Sequence, residues 1–498
     1  MTHLSKSLTF NVCSRSNDTF DDLHLNYLLG FVKTSSLFRN LPLRSYSVVL
    51  LVVMGVNVIA QIIINSFLTI LVTVGQDQLE QDLDYRSQLN GDLKTLLDVD
   101  SMQAQKNLEK LATIIGKKLG KEKSSIPETT MEKILNNDGQ LSERIVKKVR
   151  QKGVLIVRNT IPSNLIHEWS GDLIQYLYNN QAFPKESNQT VYQVYWSKAQ
   201  VAARQHPNMY KLQKALLRIW HTSGQSEVDV DLEQPVTYID RLRIRQPNDS
   251  LVRQLPHIDG GGIERWQDGP YRKVYRHILE GDWKDFDPFE VDYRVIDNAG
   301  DTTFFRAFQG WLSLSSSKPG EGTLRVLPLL KEAIAYFLLR PFAPDVPSDL
   351  FPGTFPSSPL HVTEKWHRPL YDALVTIPRI GPGDTVWWHP DLIHAVESHH
   401  GGSSPNIVLC IPAGPECPIN RHYLRKVRHA LVMGTTPPDF PADDDYEVNF
   451  KDRATVEDLS TLGRTMMGLE QITGAAAAPS CASSSNTKSW SQQTRPEQ

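Results

Sequence analysis

The chain has 498 residues, with 53 Lys and Arg against 56 Asp and Glu and a net charge of -3. That length is ample for one large core domain with appendages. The balanced charge argues against a nucleic-acid partner, which needs a basic excess on one face. The four cysteines (Cys13, Cys410, Cys417, Cys481) show neither metal nor disulfide spacing.

Residues 1–46 are polar and without a sustained period. Residues 47–75 then carry no charge and are mostly aliphatic, longer than the ~20 residues that cross a bilayer. The run predicts a transmembrane helix. Lys33, Arg39 and Arg44 precede it, whereas Asp77, Glu80, Asp82 and Asp84 follow, which puts the N-terminus in the cytoplasm and the rest of the chain across the membrane. Without that leader in the mature protein, the expected compartment is the cytoplasm. Residues 76–152 are charged and helical in period, with Leu93, Leu96, Leu97, Leu108, Leu111, Ile114 and Ile115 at helix spacings. No heptad is sustained, so packing on the main domain is expected.

Gly153 to Arg158 reads as a short buried strand, followed by an amphipathic helix to about Asn180. Thr237 to Arg245 alternates, with Leu242 and Ile244 on one face and Arg241, Arg243 and Arg245 on the other. An arginine row of this kind is usually a solvent face, expected here for at least one of the three. At the mouth of a barrel it would read carboxylates or phosphates.

The chemistry gathers around Leu255-Pro-His257-Ile-Asp259-Gly-Gly-Gly262. On an extended backbone His257 and Asp259 project from one face, and the glycines allow a sharp turn. These are two legs of a 2-His-1-carboxylate triad. Phe304 to Ser315 and Thr323 to Pro328 read as strands, Leu329 to Leu339 as a helix, and Pro341 to Pro359 as a surface loop able to cover a site. The stretch from Ile380 to Glu397 then gives a Gly-Pro-Gly-Asp turn, an aromatic strand, a second turn at His389-Pro390-Asp391, and a strand opened by His394. His389, His399 and His400 compete with His394 for the distal role, which motif fit assigns to His394. Asn406 to Pro412 reads as a closing strand containing a buried Cys410. Helices are predicted over 420–432 and 456–469, and 473–498 reads as a disordered tail.

His257-Ile-Asp-Gly-Gly-Gly-Ile-Glu-Arg-Trp266, Tyr275 to Phe289 and Trp388-His-Pro-Asp-Leu-Ile-His394 resemble the clavaminate synthase-like and phytanoyl-CoA hydroxylase-like Fe(II)/2-oxoglutarate oxygenases. They are most similar to a bacterial and fungal family within that group. The resemblance covers roughly 153–428. It implies an α+β fold: a double-stranded β-helix (jelly-roll, cupin-like) core over 153–432 with flanking helices, to which the sequence pattern adds a helical extension over 433–472. It further implies Fe(II) on His257, Asp259 and His394, 2-oxoglutarate and O2 as co-substrates, and hydroxylation of a small-molecule substrate.

One departure stands out. Many members of the superfamily carry an Arg or Lys about a dozen residues after the distal His, for the far carboxylate of 2-oxoglutarate. Here none occurs between His394 and Arg421. Arg325 is the first substitute, because a charge between core residues needs a partner; Arg306 and Arg243 follow. Trp266, Trp311 and Trp388 are candidates for a substrate pocket, as is Trp387, with core packing the default for each. Two other readings stay open: a metal-binding cupin-like scaffold or sensor without turnover, and an iron dioxygenase that needs no 2-oxoglutarate.

Overall fold

The computed structural model describes residue 94 and residues 97–121, 126–184, 190–223, 229–250, 255–259, 262–291, 303–356, 358–440 and 447–470. The chain divides at Leu79/Glu80, and these residues all lie in the second unit, Glu80–Gln498. The segments 1–46 and 47–75 and the tail from 473 lie outside the described residues. Among the described residues, no helix is long and apolar enough to cross a membrane.

Within the stretch expected to be helical, Glu128–Thr130 forms strand β1, parallel to β2 (Val154–Arg158). Its backbone extends an existing sheet edge, which periodicity over a longer window does not reveal. Helix Glu143–Lys152 stops at Gly153, whose φ of 70° closes the last turn through a bond to the Val149 carbonyl. The chain then enters β2, buried along nearly its whole length.

The remaining strands in chain order are β3 (Val191–Tyr192), β4 (Asp231–Val236), β5 (Leu242–Arg245), β6 (His257–Ile258), β7 (Gln309–Ser313), β8 (Leu324–Val326), β9 (Leu360–His361), β10 (Val375–Thr376), β11 (Thr385–Trp388), β12 (His394–Val396), β13 (Asn406–Cys410) and β14 (Gly414–Glu416). A seven-stranded sheet has the order β1-β2-β11-β7-β13-β5-β3, and a five-stranded sheet the order β10-β8-β12-β6-β9. The fold is therefore mixed α/β with two large sheets, and the chain shuttles between them. It passes from β5 in the larger sheet to β6 in the smaller, back to β7, across to β8, and later from β11 to β12 and back to β13. The turn at His389 to Asp391 makes one of these crossings. It is rigid because Asp391 N–H donates to His389 Nδ1 (3.0 Å) while the other ring nitrogen meets the Pro288 carbonyl (2.9 Å).

Leu242 and Ile244 of β5 belong to the same apolar cluster as Trp169 and Leu173 of helix Ser163–Asn179. The aliphatic face of β5 is thus buried on the helix side, and the arginine row turns inward rather than to solvent. A second apolar cluster joins helix Ser101–Lys121 (through Ala104, Leu108, Leu111 and Ile115) to helix Leu330–Leu339. The proline-rich loop belongs to it: Phe342, Ala343, Val346, Leu350 and Phe351 are buried there. Proline content suggested a surface loop able to cover a site; residues 344, 345 and 347–349 are exposed and Pro359 lines the cavity between the two sheets, while the apolar residues between the prolines anchor the segment in the core. Gly262 permits close passage of that loop, since a Cβ there would meet the Phe355 carbonyl oxygen at 1.5 Å.

Candidate metal centre and cavity

Inner-face residues of the two sheets enclose a cavity of about 570 Å³, a size usual for small-molecule sites. On its smaller-sheet wall β12 and β6 pair antiparallel with His394 directly opposite His257. Cross-strand partners share a face, so the two imidazoles converge, their centroids 4.3 Å apart. Asp259, two residues beyond His257, brings one carboxylate oxygen to 3.3 Å from His257 Nε2 and the other to 3.6 Å from His394 Nε2. One donor atom from each of the three residues lies within 4.8 Å of the others.

The outer ring nitrogens fix how these imidazoles are presented. His257 Nδ1 lies 2.8 Å from the Leu255 carbonyl and His394 Nδ1 2.9 Å from the Leu392 carbonyl. A carbonyl only accepts, so each Nδ1 carries the proton and each Nε2 turns a lone pair toward Asp259. This is the outer-shell arrangement usual for metal-binding histidines. Burial, assisted by His257, pushes His394 down to about 4. Burial alone would raise Asp259, but His394 and His257 hold its carboxyl well below the usual range. The set is thus two imidazole nitrogens and one carboxylate oxygen, the donor chemistry of a divalent iron site with open positions.

The rival histidines are otherwise engaged. His389 spends both nitrogens on the turn and stacks on Trp220 at 5.0 Å. His400 uses both nitrogens on Ser404 and Gly402. His399 is exposed.

A buried network ties the two ligand-bearing segments together. Arg265 donates to the Asp259 carbonyl (3.0 Å) and to Asp391 Oδ1 (2.9 Å), and also to the Tyr275 hydroxyl. That hydroxyl in turn donates to Asp391 at 3.0 Å. Sequence reasoning noticed Arg265, Tyr275 and Asp391 only as parts of motifs, with no role for any of them.

Arg243 and Arg306 line the cavity. Among the described residues neither makes a hydrogen bond or ion pair; Arg306 stacks over Tyr238 at 5.6 Å. Burial lowers Arg306, but the nearby oxygens of Tyr238, Asp259, Asp240 and Asp439 outweigh it and raise the guanidinium. Arg245 also lines the cavity but is committed to Asp249 (3.1 Å) and the Glu397 carbonyl; Arg241 lines it too, 3.5 Å from Asp240 and over the Phe440 ring at 4.6 Å, with its Nε lacking a hydrogen-bond partner among the described residues. Arg325 is not a lining residue: Leu324 and Val326 turn inward, and alternation sends Arg325 to the opposite face of β8. The flanking core residues that suggested a buried charge are themselves the cause.

Trp311 and Trp388 line the cavity and meet edge to face at 6.4 Å. Trp388 also sits 5.3 Å from His394. Trp387 is buried on the other side of β11, its Nε1 donating to Thr385 Oγ1 at 2.9 Å. Trp266 is buried in the second apolar cluster, its indole N–H donating to the Leu338 carbonyl at 3.1 Å, and so does not reach the cavity. Gln309 and Asn406 line it and were missed, although their two-residue offset from Trp311 and Val408 on adjacent strands could have found them. Cys410 also faces the cavity rather than the core, and burial pushes its thiol up to about 11.

Fold and site together define a mixed α/β protein with a buried cavity built around a metal-competent His-Asp-His cluster. Residues 84–469 match the Gig2-like family model, and the chain belongs to the Gig2-like family. It is 34% identical over 351 residues to the uncharacterized protein YbiU of Escherichia coli (strain K12), spanning 67% of this chain and 83% of that protein. Among solved structures it is similar to GlcNAc Inducible Gene 2 (GIG2) of Candida albicans, with a TM-score of 0.71, 31% identity, and coverage of 79% of this chain and 92% of that one. A Salmonella typhimurium LT2 protein described as a candidate oxidoreductase aligns with a TM-score of 0.68 and 29% identity over 78% of this chain and 100% of its own.

Proposed function

We propose that the protein is a mononuclear non-haem Fe(II) oxygenase of double-stranded β-helix fold that uses 2-oxoglutarate and O2 to hydroxylate a small molecule. The observation that carries this reading is the lone-pair presentation of His257 Nε2 and His394 Nε2 toward Asp259, both outer nitrogens being held by backbone carbonyls. Strand shuttling between two sheets around one cavity supports the fold. The description of the Salmonella relative supports an oxidoreductase.

His257, Asp259 and His394 would hold the iron from one side and leave the cavity side open. Bound iron and 2-oxoglutarate supply the redox chemistry: one O2 yields succinate, CO2 and a hydroxylated C–H carbon. The chain itself orients and shields. Arg243 answers the missing cation, because on β5 it pairs directly across from Val408 of β13, the strand that follows the distal His. A guanidinium there, with no acid among the described residues taking its donors, would hold the far carboxylate of 2-oxoglutarate through paired N–H bonds. Apolar side chains of Leu324, Val396 and Val408 beside it limit water.

Anaerobic addition of Fe(II) and 2-oxoglutarate should give a weak visible charge-transfer band that His257→Ala lacks, and admitting O2 should release succinate. Metal binding with neither band nor succinate would instead mark a non-catalytic scaffold.

A further inference from the structure

The cavity carries more cationic groups than one co-substrate can use, because Arg243 and Arg306 both line it without a hydrogen-bond or ion-pair partner among the described residues. Trp311 Nε1, Trp388 Nε1 and Gln309 Nε2 are buried and have no partner among the described residues. Their side chains share the inner face of adjacent strands, with Trp388 opposite Gln309 in the β11–β7 register and Trp311 two residues further along β7. Each of these atoms has almost no accessible surface, so this wall offers a ligand ring surface rather than free N–H groups.

Arg306 adds a charge to the same cavity. One face of its guanidinium lies over the Tyr238 ring, while its N–H edge meets no acceptor among the described residues. The nearby acids do not occupy that edge. Asp240 lies beside Arg241, and Asp439 accepts from Tyr238 Oη (3.2 Å) and from Thr303 N–H (2.9 Å). A guanidinium stacked on one face and free along its edge is preorganised for two parallel bonds to an oxyanion. A hydrocarbon or acyl chain would leave the Arg306 edge unsatisfied.

Resting on the oxygenase reading, in which Arg243 serves 2-oxoglutarate, we infer that the molecule hydroxylated is a small oxyanion-bearing compound. Its carboxylate or phosphate is read by Arg306, with the side chains of Trp311 and Trp388 lining the same cavity.

Ligand-detected saturation-transfer NMR on the full-length protein tests this with three mixtures: carboxylic acids, phosphate monoesters, and the neutral amides and alcohols corresponding to both. Signals are expected from one anionic mixture and not from the neutral one, and the responding mixture separates carboxylate from phosphate. Arg306→Gln should weaken that binding at least tenfold while leaving 2-oxoglutarate binding unchanged. Arg306→Lys, which keeps the charge but loses the fork, should weaken it less and guards against misfolding. Equal binding of neutral compounds, no binding of either anionic mixture, or a shift of 2-oxoglutarate affinity in Arg306→Gln would each overturn the inference. Anion binding that persists in His257→Ala, with no charge-transfer band in the wild type, would defeat the oxygenase reading and leave the oxyanion site standing.

Discussion

Arg265 and Asp391 form an ion pair of 2.9 Å with side-chain exposures of only 3% and 1%. Arg265 also holds the backbone carbonyl of Asp259, and Asp391 lies three residues before His394. One buried pair therefore braces both segments that deliver the cluster.

Breaking that pair should cost stability and metal affinity together. Asp391→Ala strands a buried guanidinium, for which about 3–5 kcal/mol is usual. Supporting residues of this kind typically alter metal affinity about 10–100-fold. A thermal melt paired with a Co(II) titration checks both. A lower melting point with unchanged Co(II) affinity would confine the pair to folding.

Arg243→Gln should raise the 2-oxoglutarate concentration for half-maximal binding about 10–100-fold, since a hydrogen bond to a charged group contributes about 1.5–3 kcal/mol. Arg325→Gln should leave it unchanged, because that side chain leaves the opposite face of β8. Titration of the anaerobic visible band reads both variants. Equal effects would remove Arg243 from its role.

His367 gives the fold an acid sensitivity with a defined sign. It is buried, stacks on Phe337 at 4.5 Å, and burial lowers it to about 3, with Arg340 adding to the effect. Its Nε2 has no hydrogen-bond partner among the described residues. The unfolded chain takes up this proton near pH 6.5 and the folded one only near 3, so the unfolded state binds more protons between those values. Its contribution is full above pH 6.5 and is lost as pH falls toward 3. His367→Phe, which keeps an aromatic ring on Phe337, should flatten the pH dependence of urea stability in that window. An unaltered slope would point to other groups.

Gly310 sits in β7 where a Cβ would come within 2.5 Å of Trp387 Cε3 and 2.9 Å of the Ile411 carbonyl oxygen. Gly310→Ala should destabilise by about 1–3 kcal/mol, as overpacking of a close-packed interior does. Urea unfolding measures it. A neutral result would show that the strands can part without loss.

The amino-acid sequence by itself determined the local parts. The alternation of β5, the turn chemistry from Gly381 to Asp384 and at His389 to Asp391, and the spacing of His257 and Asp259 are short-range patterns, readable because side-chain direction follows backbone period. Tertiary structure decided which face of each strand meets the cavity. Arg243 faces inward and Arg325 outward because of what covers the other side of their sheets, and that is set by helices and strands far away in the chain. The same cause anchored the apolar residues of the proline-rich loop in the core and brought Gln309 and Asn406 to the cavity wall. Pairing His394 against His257 is likewise a contact across the intervening sequence, settled by strand register.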